Sequence, residues 1–168
     1  LLGALDIDSC YAVFHDQGGM HGAQMLKNHG DKIKSVIFTN CVCYDNWPVP
    51  VVDAIMFLGS AIKPLAKIGL AQLALRALWP FTVFRRAIAK PIIQDWEYAM
   101  NTGGQALDDW IRYAGSQEQK WTLDAVPTLQ AWTKPTMVMW AAQDRFLPLF
   151  KHIDAALLIG ESCHLVPL

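Results

Sequence analysis

Ala12-Val13-Phe14-His15-Asp16-Gln17-Gly18-Gly19 is the stretch on which the reading of this chain turns. Apolar residues 10–14 carry a short strand signal, a His-Asp pair and two glycines follow, and 20–29 reads as a helix. Where a strand feeds a helix through a sharp corner, the turning side chain is pushed out of the sheet. It then sits at the positive end of the helix, where a nucleophile and the negative charge it generates are best supported. The corner residue is Asp16, not Ser or Cys, and that choice narrows the chemistry.

Working outward, residues 33–39 (Ile-Lys-Ser-Val-Ile-Phe-Thr) and 135–141 (Pro-Thr-Met-Val-Met-Trp-Ala) give two further strand signals. Both are rich in β-branched or large apolar residues and lie between helical stretches, as parallel strands do. A weaker fourth signal spans 155–159 and is closed by Gly160. A helix over 19–28 between the first two strands makes a βαβ unit of ordinary size. Residues 1–5 read as the tail of a preceding helix. Helical spacing dominates 51–132, for example Ile68, Ala71, Leu75 and Leu78, punctuated by Pro64, Pro80, Pro91, the Asn101-Thr102-Gly103-Gly104 break and Pro127. The expected organisation is a core α/β segment over 1–48, a helical cap over 49–132 and a second core segment over 133–168.

Composition narrows the class. The chain has 168 residues, 53% hydrophobic and 17% charged, enough for a buried core in about one domain. A net charge of −1 without any basic block gives no reason to expect nucleic acid or an anionic membrane surface as a partner. The longest uncharged apolar runs, 54–62 and 68–75, fall well short of the roughly 20 residues of a spanning helix, so a soluble protein is expected. Cys41 and Cys43 are a weak metal signal, since no second pair at ligand spacing follows. They read, with Cys10 and Cys163, as small core residues of a reducing compartment, which points to the cytoplasm.

Three residues stand at the ends of expected strands: Asp16 after the first, Asp144 after the third and His164 after the fourth. In open parallel sheets the carboxyl ends of strands are where sites form. Nucleophile, acid, then His is the chain order of the α/β-hydrolase arrangement. Taken alone, Asp16 also suits a helix cap and Asp144 a turn. Asp45, in Asp45-Asn46-Trp47-Pro48, is the reserve acid and reads first as a turn, while Asn40 ends a strand with an amide that cannot serve as an acid.

On these residues the chain resembles the α/β-hydrolase superfamily, in the branch with an aspartate nucleophile that includes haloalkane dehalogenases and epoxide hydrolases. The resemblance rests on His15-Asp16-Gln17-Gly18-Gly19, on 34–40 leading into Tyr44-Asp45-Asn46-Trp47-Pro48, on 135–148 and on His164. It implies a parallel sheet with a helical cap insertion. It also implies earlier strands and a final helix that this stretch does not contain, so the chain reads as part of a longer protein. Carried over, Asp16 is the nucleophile, Asp144 the acid that orients the imidazole, and His164 the base. The Gln17 N–H would help hold an oxyanion, and His15 would support the turn. Trp47, Tyr98 and Tyr113 are the candidate substrate-binding residues, Trp96, Trp110 and Trp121 further cap aromatics. His21, His29 and His152 read as surface or helix residues. A small-molecule substrate, largely apolar, is expected, and no cofactor or metal; the alternatives are an ester or carbon–carbon bond hydrolase of the same fold, or an inactive scaffold or interaction module. Two positions depart from the family pattern: Phe14 stands where a small residue is usual, and Gln17 where dehalogenases commonly carry Trp.

The chemistry of a carboxylate agrees with that role. With a reference pKa of about 3.9 it is ionised at neutral pH and needs no base to attack. Attack on an acyl carbon would give a reactive anhydride. Attack on a saturated carbon, in an epoxide or beside a halogen, gives a stable alkyl ester. His164 is then free to activate the water that hydrolyses it.

Overall fold

Val36 and Phe38 on one strand and Val138 on the next form the middle of a sheet, and the helix before them is shaped to cover it. The computed structural model describes residues 2–50, 52–53, 57, 95, 105–144, 146–148 and 163–167, the last of these by their backbone. Four parallel strands lie in the order β1-β2-β3-β4: β1 (Cys10–Asp16), β2 (Ile33–Cys41), β3 (Thr136–Trp140) and β4 (Cys163–Pro167). The first two run beyond their expected ends by two residues each, through His15-Asp16 and Asn40-Cys41. The expected strand at 155–159 lies outside the described residues; the fourth strand described is Cys163–Pro167.

Helix α1 (Gly18–His29) connects β1 to β2. Its buried residues Gly19, Met20, Gly22, Ala23 and Leu26 recur at the three-to-four spacing of one helix face. Burying Met20 and Leu26, each 2% exposed, contributes about 2 kcal/mol apiece. Lys27 and His29 in the last turn suit the negative end of the helix dipole. Beyond it, Lys134 Nζ donates to the carbonyls of Gly30 (2.7 Å) and Ile33 (2.6 Å), tying the start of β3 to the turn that launches β2.

The sheet has two unlike faces. Ala12, Val36 and Thr136, then Phe14, Phe38 and Val138, stand in register on the face beneath α1. On the other face Tyr11 and Val13 are 74% and 65% exposed, and Met137 is exposed too.

The chain divides into two compact units, Leu1–Val49 with Glu118–Leu168, and Pro50–Gln117. Residues 118–132, expected in the helical insertion, belong to the sheet-bearing unit. There α3 (Lys120–Asp124) joins α1 through Gln24 Nε2 donating to the Trp121 carbonyl (2.6 Å) and the Lys27–Asp124 ion pair, and α4 (Val126–Gln130) buries Leu129. In the second unit, α2 (Gln105–Ser116) carries a Gln105–Asp109 hydrogen bond of 2.9 Å. The rest of the expected cap helices lie outside the described residues. At the start of the chain, Gly3–Leu5 is a single 3₁₀ turn closed by Asp6 in the left-handed region, where an α-helix tail is expected. Among the described residues no helix is long and apolar enough to cross a membrane.

Candidate active site

β1 ends on Asp16 at φ 51°, a left-handed conformation that costs a non-glycine residue about 1–2 kcal/mol. The turn through Gln17 then starts α1 at Gly18. Such tightness needs the helix to approach β2 closely, and Gly19 permits it. A Cβ at Gly19 would lie 2.5 Å from the Val42 carbonyl oxygen and 2.6 Å from Cys41 Cβ. The Asp16 carbonyl accepts from the Val42 N–H at 2.7 Å, closing the corner.

Phe14 fits beneath this corner because the helix has no side chain above it. A Cβ on Gly22 would lie 2.5 Å from the Phe14 ring, which also pairs with the tilted ring of Phe38 at 5.5 Å between centroids. Bulk on the strand is thus matched by its absence on the helix.

Asp16 is exposed, yet the protein around its carboxyl raises its pKa above the ordinary value. Desolvation is the largest cause, opposed by the positive charge of His15; the Asp144 carboxylate pushes further up, and a hydrogen bond from the Gln17 N–H pulls down. His15 itself is anchored sideways: its Nδ1 lies 2.9 Å from the Thr39 carbonyl oxygen and 3.0 Å from Thr39 Oγ1. It ties β1 to β2 at this level.

Asp144 stands four residues past the end of β3. Its Oδ1 accepts from the N–H groups of Phe146 (2.8 Å) and Leu147 (2.9 Å), and its Oδ2 from Asn40 Nδ2 (2.6 Å). Its own N–H donates to the Ala141 carbonyl at 3.1 Å. Trp140 is sealed in place by its indole N–H donating to the Leu147 carbonyl at 2.7 Å. The structure therefore brings Asp16 and Asp144 to the same edge of the sheet, close enough for one charge to perturb the other.

His164 lies within β4, whereas the sequence places it after a strand. Its backbone is in register with Met137, and through Ile37 with Val13, three residues before Asp16. At about 3.3 Å per residue that is roughly 10 Å short of the carboxyl edge along the strand direction.

Other candidates separate clearly. Trp47, expected at the substrate, is buried in the core at 4% exposure. The turn before it is locked by buried Asn46, which donates to the Cys41 carbonyl (3.0 Å) and accepts from the Cys43 N–H (2.8 Å). Asp45 is exposed, with its carbonyl taken by Gln119 at 2.9 Å. Trp121 is on α3 of the sheet-bearing unit, under the Lys120 ammonium at 5.0 Å. Tyr113 is exposed on α2 in the second unit. Tyr98, Trp96 and His152, and the side chain of Trp110, lie outside the described residues. His21 and His29 are exposed on α1. Among the described residues no group of three or more His, Cys, Asp or Glu is arranged to hold a metal ion, and Cys10, Cys41 and Cys43 are free thiols. The Cys41 thiol is pushed well above its ordinary value by its hydrogen bond with Cys43 and by burial, which suits a core residue.

Asn40 is the residue that sequence reasoning set aside. Between His15–Thr39 and Asp16–Cys41 the register slips by one, so Asn40 is the extra residue of a bulge, at φ 35°. The asparagine itself was the available signal, because Asn tolerates the left-handed region and can donate and accept at once.

No protein-family model and no curated protein matches the chain by sequence. Solved structures do match. The α/β hydrolase MGS-M2 from a Medee basin deep-sea metagenome library superposes with a TM-score of 0.72 at 19% identity, over 99% of this chain and 59% of that one. The meta-cleavage product hydrolase CumD gives 0.73 at 14% identity, over 99% and 59%. The ancestral haloalkane dehalogenase AncHLD2 gives 0.73 at 16% identity, over 99% and 62%. This chain thus spans about three fifths of the length of the structures it resembles, and within that span its parallel sheet and helices are those of the α/β-hydrolase fold.

Proposed function

We propose that this chain belongs to a hydrolase that opens a small apolar alkyl halide or epoxide through an ester on Asp16. The observation that carries the reading is the backbone of Asp16: a carboxylate held at φ 51° on a strand-to-helix corner, at the amino end of α1. A residue kept in a strained conformation at the mouth of a sheet is there for its side chain. In the first step an Asp16 oxygen attacks the saturated carbon. A carbon–halogen bond breaks and halide leaves, or the epoxide C–O bond opens and its oxygen takes a proton. In the second, water gives a proton to His164 and attacks the ester carbonyl. The Gln17 N–H steadies the oxyanion, and collapse releases the alcohol or diol and restores the carboxylate. Asp144 holds the imidazole and balances its charge. The assignment of His164 rests on chain order and on the resemblance. Tyr98 and Tyr113, residues of the expected cap, are the donors to an epoxide oxygen that the resemblance suggests. The free thiols favour a reducing compartment, the cytoplasm.

A second reading has its own support. The register of His164, level with Val13, favours a folded scaffold that no longer turns over substrate. One experiment separates the two: intact-mass spectrometry of His164→Gln after incubation with 1-bromobutane or styrene oxide. The enzyme reading expects a stable adduct on Asp16, a butyl gain from the halide or the whole epoxide from the other. A folded protein that stays unmodified by both, with a parent that consumes neither, leaves the scaffold reading standing.

A further inference from the structure

We infer that Asn40 is the positioning residue for the Asp144 carboxylate, delivered to it by the bulge in β2. Three observations converge. Asn40 is the one residue skipped in the β1–β2 pairing between Thr39 and Cys41, so its side chain is released from the alternation of the strand. It holds φ 35°, a conformation that most residues with a Cβ avoid. Its carboxamide then bridges two points on the chain beyond β3: Oδ1 accepts from the Ala141 N–H at 3.0 Å, and Nδ2 donates to Asp144 Oδ2 at 2.6 Å. The orientation of the amide is fixed by its partners, because a backbone N–H can only donate and an ionised carboxylate can only accept.

That double demand explains the residue type. Aspartate at position 40 would accept from Ala141 but set a second negative charge against Asp144, with Asp16 already facing the same edge. Serine is too short to span both partners. With Asn40 on Oδ2 and two N–H groups on Oδ1, the carboxylate cannot rotate, and its remaining lone pair points one way. The clamp stands on geometry alone. Its part in turnover rests on the proposed reading, in which a fixed Asp144 fixes the base.

Two measurements on the intact protein test this separately. The first is denaturant unfolding of Asn40→Asp, Asp144→Asn and the double exchange. Each single exchange sets like groups against each other and lowers the midpoint. The double exchange restores an amide–carboxylate pair and recovers most of the loss. Losses that simply add would overturn the clamp. The second is steady-state turnover of 1-bromobutane by Asn40→Ala. A positioning role lowers kcat roughly 10- to 100-fold and leaves KM nearly unchanged. Unchanged kcat in a parent that does turn over would remove the role in turnover while the unfolding result still decides the clamp. A parent inert to the probe counts against the proposed function, and the unfolding arm again decides the clamp.

Discussion

Asp16, the last residue of β1, and Asp144, four residues past β3, are both aspartates at the carboxyl edge of one sheet, and the protein treats them in opposite ways. Asp144 is held by three donors: two backbone N–H groups of the loop it organises on one oxygen and the Asn40 amide from β2 on the other. Asp16 has the Gln17 N–H, a strained φ and surroundings that disfavour its charge. Hydrogen bonds to a charged group are among the stronger ones in a protein, so the first carboxylate strengthens the fold while the second burdens it. A structural anchor is expected to look like Asp144. A group kept for reaction is expected to look like Asp16, because a nucleophile quenched by three donors attacks poorly.

Removing the anchor is the sharpest way to break the comparison. Asp144→Ala strips the acceptor from the N–H groups of Phe146 and Leu147 and from Asn40 Nδ2. Leaving such donors unpaired in a partly buried place costs about 2–4 kcal/mol. Chemical denaturation should show a loss of that size. A loss within about 0.5 kcal/mol, the range of ordinary surface substitutions, would mean that solvent already serves these donors and that Asp144 is no anchor.

The corner beneath Asp16 gives the next largest effect. Gly22→Ala drives a methyl group to within 2.5 Å of the Phe14 ring. Overpacking of this kind costs about 1–3 kcal/mol, offset in part by the better helix propensity of alanine. A net loss of about 1–2 kcal/mol is expected, with Phe14 displaced and the Asp16 corner loosened. In a Phe14→Ala background the space is empty, and Gly22→Ala should become neutral or stabilising. If it stays equally harmful there, the two positions are not coupled and the tolerance of Phe14 has another source.

This pair also shows what one sequence does and does not reveal. The strand–corner–helix at Asp16, the β2 strand and the β3 strand were legible because each strand is a short run rich in apolar or β-branched residues between turn or helical stretches. Phe14 read as an obstruction, since its partner Gly22 is eight residues away and a missing side chain leaves no mark in a local pattern. Asn40 was hidden for a related reason. Whether a strand carries a bulge depends on the register of its neighbour, and a lone asparagine at a strand end does not state which neighbour it will face. Trp47 is a large aromatic beside a turn that packs into the core, and its local sequence pattern does not state whether such a residue is core or substrate lining. His164 was placed by chain order, and order along the sequence does not fix the rung a residue occupies in the sheet.

The smallest effect tests Asp16 itself, and its sign separates the two carboxylates most directly. Folding raises the Asp16 pKa above its ordinary value, chiefly by desolvation. The native state therefore holds this proton more tightly than the unfolded chain does. Stability then falls as pH rises through the carboxylate range, and above it the ionised group imposes a constant cost. Asp16→Asn abolishes that titration while keeping a residue equally tolerant of φ 51°, so backbone strain cancels in the comparison. The variant should be more stable than the parent at pH 7, by less than about 1 kcal/mol because the side chain is exposed and solvent screens it. The advantage should shrink as pH falls through the raised native pKa and be gone well below about 4, where the Asp16 carboxyl is neutral in both folded and unfolded chains. Thermal melts of the two proteins across that range read the difference without any substrate. A variant less stable than the parent at pH 7 would place Asp16 with Asp144, as an anchor of its own turn, and the asymmetry between the two strand ends would be gone.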